Sequence, residues 1–323
     1  MNDNITPYVR YIGADDKDLD LFESQYVVPQ GISYNSYVIT DEKIAVMDTI
    51  DQRKTEEWTV RLEEALEGRT PDYLIVQHME PDHAANIGWF AEKYPEATIV
   101  ASAKAIQMMP QFFEEVNFAG RTQTVKEGDT LCLGQHTLKF IMAPMVHWPE
   151  VMLTYEESEK ILFSADAFGK FGALCHEGEW IDEARRYYFN IVGKYGAQVQ
   201  ALLKKAAGLD IAMICPLHGP VLKENLGYYI GLYDTWSKYE PETEGVVVAY
   251  ASIHGNTAAA ARRMAEILSE KGATEVMLID LCRDDMALAV ESAFRYSKMI
   301  VAASSYDAGV FPPMFDFLHH LQI

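Results

Sequence analysis

Cysteine is scarce in this chain of 323 residues, and the four that occur, Cys132, Cys175, Cys215 and Cys282, lie far apart with no C-x-x-C pair. That spacing excludes local zinc ribbons, rubredoxin-type sites and thioredoxin motifs, and it points to free thiols in a reducing cytoplasm. Basic side chains are outnumbered as well: 27 Lys and Arg stand against 48 Asp and Glu, a formal net charge of −21. A surface of that sign repels phosphate backbones and anionic lipid, so no nucleic-acid and no membrane partner is expected. No apolar run approaches the ~18 residues of a membrane span. The start, Met1-Asn-Asp-Asn-Ile-Thr-Pro-Tyr8, has neither the basic nor the apolar region of a signal peptide, which again reads as cytoplasmic. Internal repeats and low-complexity segments are lacking too. What is plentiful is core material, with 49% hydrophobic residues, and the length suits two domains.

Up to about residue 240, short apolar runs alternate with helical spacing. Ser33–Thr40 and Lys43–Asp48 read as a hairpin, Thr55–Leu66 as an amphipathic helix and Tyr73–Gln77 as a buried strand. Further strands are expected at 97–101, 137–143, 160–164 and 210–215, and a helix at 197–207. Lys238-Tyr-Glu-Pro-Glu-Thr-Glu-Gly245, polar and acidic with a Pro and a Gly, reads as a linker. After it the pattern becomes β-α-β-α-β: strands at 246–250, 275–281 and 299–303, with helices at 257–271 and around 286–296. Such alternation implies a doubly wound parallel sheet.

The most informative stretch is His78-Met-Glu-Pro-Asp-His83, directly after the strand ending at Gln77. His78 and Glu80 are two residues apart and face one side of an extended chain; Asp82 and His83 are adjacent and point apart, toward a second ion. Clusters of this kind seldom serve packing, because buried carboxylates and imidazoles are costly without partners. Three more candidates have the same setting: His147 follows the strand at 137–143, Asp166 the strand at 160–164 and His218 the strand at 210–215. Loops beyond the carboxyl ends of strands are where α/β folds gather their sites. The set is four histidines with Glu80, Asp82 and Asp166, hard and anionic without thiolate. Zinc would accept it, and imidazole with oxygen donors also suits iron or manganese. A diiron four-helix bundle needs two Glu-x-x-His pairs on helices. Only Glu80 to His83 has that spacing, with Pro81 inside it, so the bundle is rejected.

His-x-Glu-x-Asp-His followed by His147, Asp166 and His218 resembles the metallo-β-lactamase-like module of flavodiiron proteins. The likeness extends over residues 1–244 and includes Ser33-Tyr-Asn-Ser-Tyr37 and Cys215-Pro-Leu-His-Gly-Pro220. It implies an αββα sandwich in which His78, Glu80 and His147 hold one iron, Asp82, His83 and His218 hold the other, and Asp166 bridges them. Zinc hydrolases of that fold usually have His where this chain has Glu80. Tyr188, or its neighbour Tyr187, resembles the family's tyrosine near the irons.

Tyr250-Ala-Ser-Ile-His-Gly-Asn-Thr257 joins a strand to a helix, and such a loop can wrap a phosphate with backbone N–H groups, hydroxyls and the positive helix end. It resembles the phosphate loop of flavodoxins, with Ser252, His254, Gly255, Asn256 and Thr257 as binding positions for FMN. Ser304, Ser305 and Tyr306 resemble the loop beside the isoalloxazine ring. On this resemblance residues 245–323 are a partial flavodoxin-like domain, its first three strands only. The fourth and fifth strands and the last flavin-holding loop have no counterpart before Ile323, so the chain reads as a truncated flavodiiron protein. FMN is then implied for the parent architecture rather than for these three strands alone.

The family resemblance implies reduction of O2 to water, of NO to N2O, or both. Two ferrous ions and a reduced flavin together supply the four electrons that O2 requires. It also implies a head-to-tail homodimer or dimer of dimers that brings flavin and irons together, with Trp148 at that contact. The electron donor is expected to be a separate protein such as a rubredoxin. Two other readings stand beside this one: a dinuclear zinc hydrolase on the same fold, and a non-catalytic diiron sensor of O2 or NO.

Overall fold

Strand periodicity in the first half of the chain resolves into two sheets that share one core. A computed structural model describes residues 4–176 and 178–322. The first sheet has the strand order Val9–Tyr11, Tyr37–Thr40, Ile44–Met47, Tyr73–Val76, Thr98–Ser102, Thr122–Val125, antiparallel in its first two pairings and parallel in the rest. The second runs Thr130–Cys132, Thr137–Met142, Met152–Glu156, Ile161–Phe163, Met213–Cys215, with only its last pairing parallel. Alternate residues of the first sheet, among them Tyr37, Ile39, Ala45, Met47, Ile75 and Val100, meet Leu138, Phe140, Met152, Phe163 and Cys215 of the second. Period-two alternation puts these side chains on one face of each sheet, and stacking the two faces buries both.

The opposite face of the first sheet, with Val38, Val46, Leu74 and Ile99, is buried as well. Helix Thr55–Leu66 lies against the strand 37–40, and helix Ala103–Phe112 against the strands 98–102 and 122–125. The former buries Trp58, Leu62, Ala65 and Leu66, a stripe at i, i+4, i+7 and i+8, and carries Glu56 and Glu57 at its positive end. The expected strand at 210–215 shortens to Met213–Cys215. The Asp210 carbonyl accepts the Tyr155 hydroxyl at 2.7 Å instead of a ladder partner.

The chain divides into two compact units, Met1–Trp180 with Ala201–Tyr229, and Ile181–Gln200 with Ile230–Ile323. The second contains a three-stranded parallel sheet in the order Val276–Asp280, Thr243–Ala251, Tyr296–Ala303. Helices Asn256–Glu270 and Met286–Arg295 form the crossovers, and Val246, Val248, Tyr250, Ala258 and Ala261 form its apolar core. Residues 238–245, expected as a linker, are tied into this unit. The strand already starts at Thr243, and Glu242 accepts from Arg185 Nε at 2.7 Å and from Trp236 Nε1 at 2.8 Å. No helix among the described residues is long and apolar enough to cross a membrane.

Candidate metal centre

Four loops at the carboxyl ends of strands carry the seven candidate ligands to one place in the first unit. The strand 73–76 leads to His78, Glu80, Asp82 and His83, the strand 137–142 to His147, the strand 161–163 to Asp166 and the strand 213–215 to His218. The side chains fall into two sets around Asp166. Its Oδ2 lies 3.2 Å from His78 Nε2 and 3.1 Å from His147 Nε2, while Glu80 Oε2 is 3.2 and 3.0 Å from the same two nitrogens. Its Oδ1 turns the other way, 3.1 Å from His83 Nε2 and 3.9 Å from His218 Nε2. Asp82 Oδ2 completes that second set at 3.3 and 3.2 Å from His83 and His218. Each set is compact enough for a single ion. Gly219, with φ +79°, lets the chain turn directly after His218; a Cβ there would come within 2.6 Å of Lys170 Cγ.

The donor atoms converge without satisfying one another. Both oxygens of Asp82 and of Asp166, together with His147 Nε2, are buried and make no hydrogen bond. His83 Nε2 and His218 Nε2 face each other at 3.1 Å, a close approach of two ring nitrogens that a shared cation would explain. Orphaned, converging oxygen and nitrogen atoms of this kind fit two divalent ions. Without metal, protons on the imidazoles take the cations' place. Burial opposes charge on His147, yet Asp166 and Glu80 lift it to about 9, and Asp166 likewise lifts His78 well above the usual histidine range against its burial. Burial pushes Asp166 upward, but the surrounding imidazoles hold it well below the usual carboxylate range.

Several residues that support this centre were not singled out from the sequence. Glu150 Oε1 accepts from His78 Nδ1 and from Met79 N–H, each at 2.8 Å. Asp48, held at φ +54°, accepts from Gln77 N–H at 2.7 Å, from Gln77 Nε2 at 2.9 Å and from His78 N–H at 3.3 Å. The Ser33 carbonyl accepts from His218 Nδ1 at 2.7 Å. A cleft of about 270 Å³, lined by Leu19, Leu21, Phe22, Glu23, Tyr34 and Asp51 among others, opens onto Glu80 and Asp82. Burial and the neighbouring Glu80 push Glu23 up to about 7 in the metal-free chain. Trp148 stands beside the ligands, its ring centroid 5.4 Å from that of His78 and perpendicular to it.

Tyr188 lies in the second unit. It is fully buried against Phe189, Tyr233 and Trp236, with centroids 5.2, 5.0 and 5.4 Å away, so the structure shows it as part of an aromatic core. In the same unit Ser252, His254 and Gly255 occupy the turn after the strand 243–251, and Asn256 and Thr257 open the helix 256–270. Gly255 has φ +89°, and a Cβ added there would meet nothing within 4 Å, so the loop fronts open space. The Thr257 and Ser304 hydroxyls are 3.0 Å apart, which sets the two expected flavin loops side by side at the carboxyl ends of adjacent strands. Ser305 and Tyr306 start a small exposed hairpin with Gly309 and Val310.

A two-sheet sandwich with a His- and carboxylate-rich centre at its strand ends defines a β-lactamase-fold metalloprotein, and the family profile described as ODP family beta lactamase matches residues 32–219. Over 335 residues the chain is 30% identical to the anaerobic nitric oxide reductase flavorubredoxin of Aliivibrio fischeri, covering 99% of this chain and 66% of that protein. Its structure is similar to that of the flavodiiron protein from Giardia intestinalis, with a TM-score of 0.93 and 27% identity over 100% of this chain and 80% of that one. It is also similar to rubredoxin oxygen:oxidoreductase from Desulfovibrio gigas, with a TM-score of 0.92 and 27% identity over 99% and 81% of the two chains. The chain belongs to the flavodiiron protein family.

Proposed function

We propose that this chain carries the non-haem diiron centre of an oxidoreductase that reduces O2 to water, NO to N2O, or both, with electrons delivered through FMN. The observation that carries the proposal is the division of Asp166, whose two oxygens each face a separate set of histidines and a carboxylate. His78, Glu80 and His147 would hold one iron and Asp82, His83 and His218 the other, with Asp166 shared. When bound, the two irons supply electrons and open coordination positions for a diatomic substrate. Glu150 and the Ser33 carbonyl aim the Nε2 atoms of His78 and His218 inward by holding their Nδ1 atoms. Leu19, Leu21 and Phe22 line the cleft that opens onto Glu80 and Asp82, together with Glu23, Asp51 and Arg53.

In the second unit Ser252, His254, Gly255, Asn256 and Thr257 would hold the FMN phosphate, with Ser304, Ser305 and Tyr306 beside the ring. The 2-1-3 order of the sheet supports this reading, because doubly wound sheets bind ligands beyond the carboxyl ends of their strands. Trp148 is assigned to the flavin contact in a head-to-tail dimer. The name of the Desulfovibrio gigas relative favours a rubredoxin as the donor, and a cytoplasmic setting suits four cysteines described without a disulfide.

Metal analysis after anaerobic purification tests the centre. Two irons per chain are expected, and Glu80→Ala should lower that number; two zincs with no iron would turn the reading to a hydrolase. Consumption of O2 or NO with a reduced donor tests the activity, and iron binding without turnover would leave a sensor.

A further inference from the structure

The two halves of the metal centre are held unequally on the side facing away from the ligand cluster. Behind His78 stands a full carboxylate: Glu150 Oε1 accepts the Nδ1–H at 2.8 Å and the Met79 N–H at 2.8 Å. Its side chain is 0% exposed, and its other oxygen, Oε2, has no hydrogen-bond partner. The Ser102 hydroxyl, donating to the Glu150 backbone carbonyl at 2.7 Å, fixes the residue from below. At His218 the Nδ1 meets a neutral acceptor, the Ser33 carbonyl, at 2.7 Å. A hydrogen bond to a charged acceptor is about twice as strong as one between neutral groups, and a carboxylate behind a ligating imidazole raises its basicity toward the metal.

We propose that Glu150 is a positioning residue that makes the two metal positions unequal. The position formed by His78, Glu80 and His147 binds a divalent ion more tightly than the one formed by Asp82, His83 and His218, and iron there has the lower reduction potential. This inference rests on the metal-centre reading above. It does not depend on which substrate the centre reduces.

Cobalt(II) titration of the metal-free chain, followed by its visible absorption, tests the inequality without turnover. Wild type should bind two ions in two resolved steps. Glu150→Gln keeps the shape and an acceptor for both N–H groups but removes the charge. It should weaken the tighter step 10–100-fold and leave the weaker step in place. Glu80→Ala, which removes a ligand from the same position, should lose the same step. In the iron-loaded chain Glu150→Gln should raise the lower of the two one-electron potentials by at least a factor of ten in the equilibrium, 59 mV, and leave the other unmoved. Should Glu150→Gln fail to fold, Glu150→Asp, which draws the carboxylate back from the His78 Nδ1–H, should move the same step in the same direction. Equal steps in wild type, or a variant that weakens both steps alike or neither, would overturn this inference alone. A wild-type chain that binds no cobalt would overturn the metal-centre reading together with it.

Discussion

The two units of this protein bury charge in opposite ways. In the second, Arg185 is 1% exposed and fully engaged: Nε binds Glu242 at 2.7 Å, and Nη1 lies 3.0 Å from Asp182 and 3.5 Å from Glu291. Arg186 beside it reaches Glu183 at 3.0 Å and Asp285 at 2.9 Å. In the first unit Glu80, Asp82 and Asp166 pair with imidazoles and with no lysine or arginine. Both oxygens of Asp82 and of Asp166 are left without hydrogen bonds. Burying an ionised group is tolerable only when it is paired or coordinates a metal. A network closed on its own arginines is therefore structural, while one left open at its centre is built for cations from outside.

Removing divalent metal gives the largest break in this comparison. Each ion held at 1,000 times its dissociation constant contributes about 4 kcal/mol to the folded state, so chelation should destabilise the first unit by that amount per ion. Hydrogen exchange should speed up in residues 73–83 and 161–166 and stay unchanged in 246–250. Equal loss in both units, or none, would erase the distinction. Next comes Arg185→Met, which leaves the largely buried Glu242 without its cation and should cost about 3–5 kcal/mol. Thermal unfolding and exchange would locate that loss in the second unit, with metal content unchanged; a drop in bound metal would contradict a purely structural role.

The open network was legible in the sequence and the closed one was not. His78, Glu80, Asp82 and His83 sit within six residues of one another, and His147, Asp166 and His218 each follow an apolar strand, so chemistry and periodicity coincide there. Most strands of the first unit and the β-α-β-α-β run of the second were legible as well, because alternation and the 3.6 spacing are local. Glu150, Asp48 and Ser33 carry no such mark: they reach His78 and His218 only through the sheet pairings, as with Ser33 and His218, which are 185 residues apart. Glu150 did leave a faint signal, an acid at the mouth of the apolar run Val151-Met152-Leu153. Arg185 and Arg186 carry no mark either, since their partners Glu242, Glu291 and Asp285 come from distant segments.

The closed network has one weak member, and its titration gives the smallest of these effects. Arg185 is already shared between Glu242 and Asp182, so Glu291 receives it only at 3.5 Å, and Glu291 Oε2 has no hydrogen bond. Burial therefore prevails over Arg185 and Arg295 and pushes Glu291 up to about 7, from an ordinary value of 4.5. A carboxyl whose folded value is raised favours the native state while protonated. Its contribution is complete below about pH 4.5 and is lost as the pH climbs through about 7. A gap of that size corresponds to at most about 3 kcal/mol, which Glu291→Gln removes, because the amide stays neutral throughout. The variant and wild type should have similar stability at low pH, and at higher pH the variant should be the more stable by about 1–3 kcal/mol. Denaturant unfolding across that range is the measurement. A variant less stable than wild type at high pH would show that Arg185 holds Glu291 as a true ion pair, making the second unit's network closed at every member.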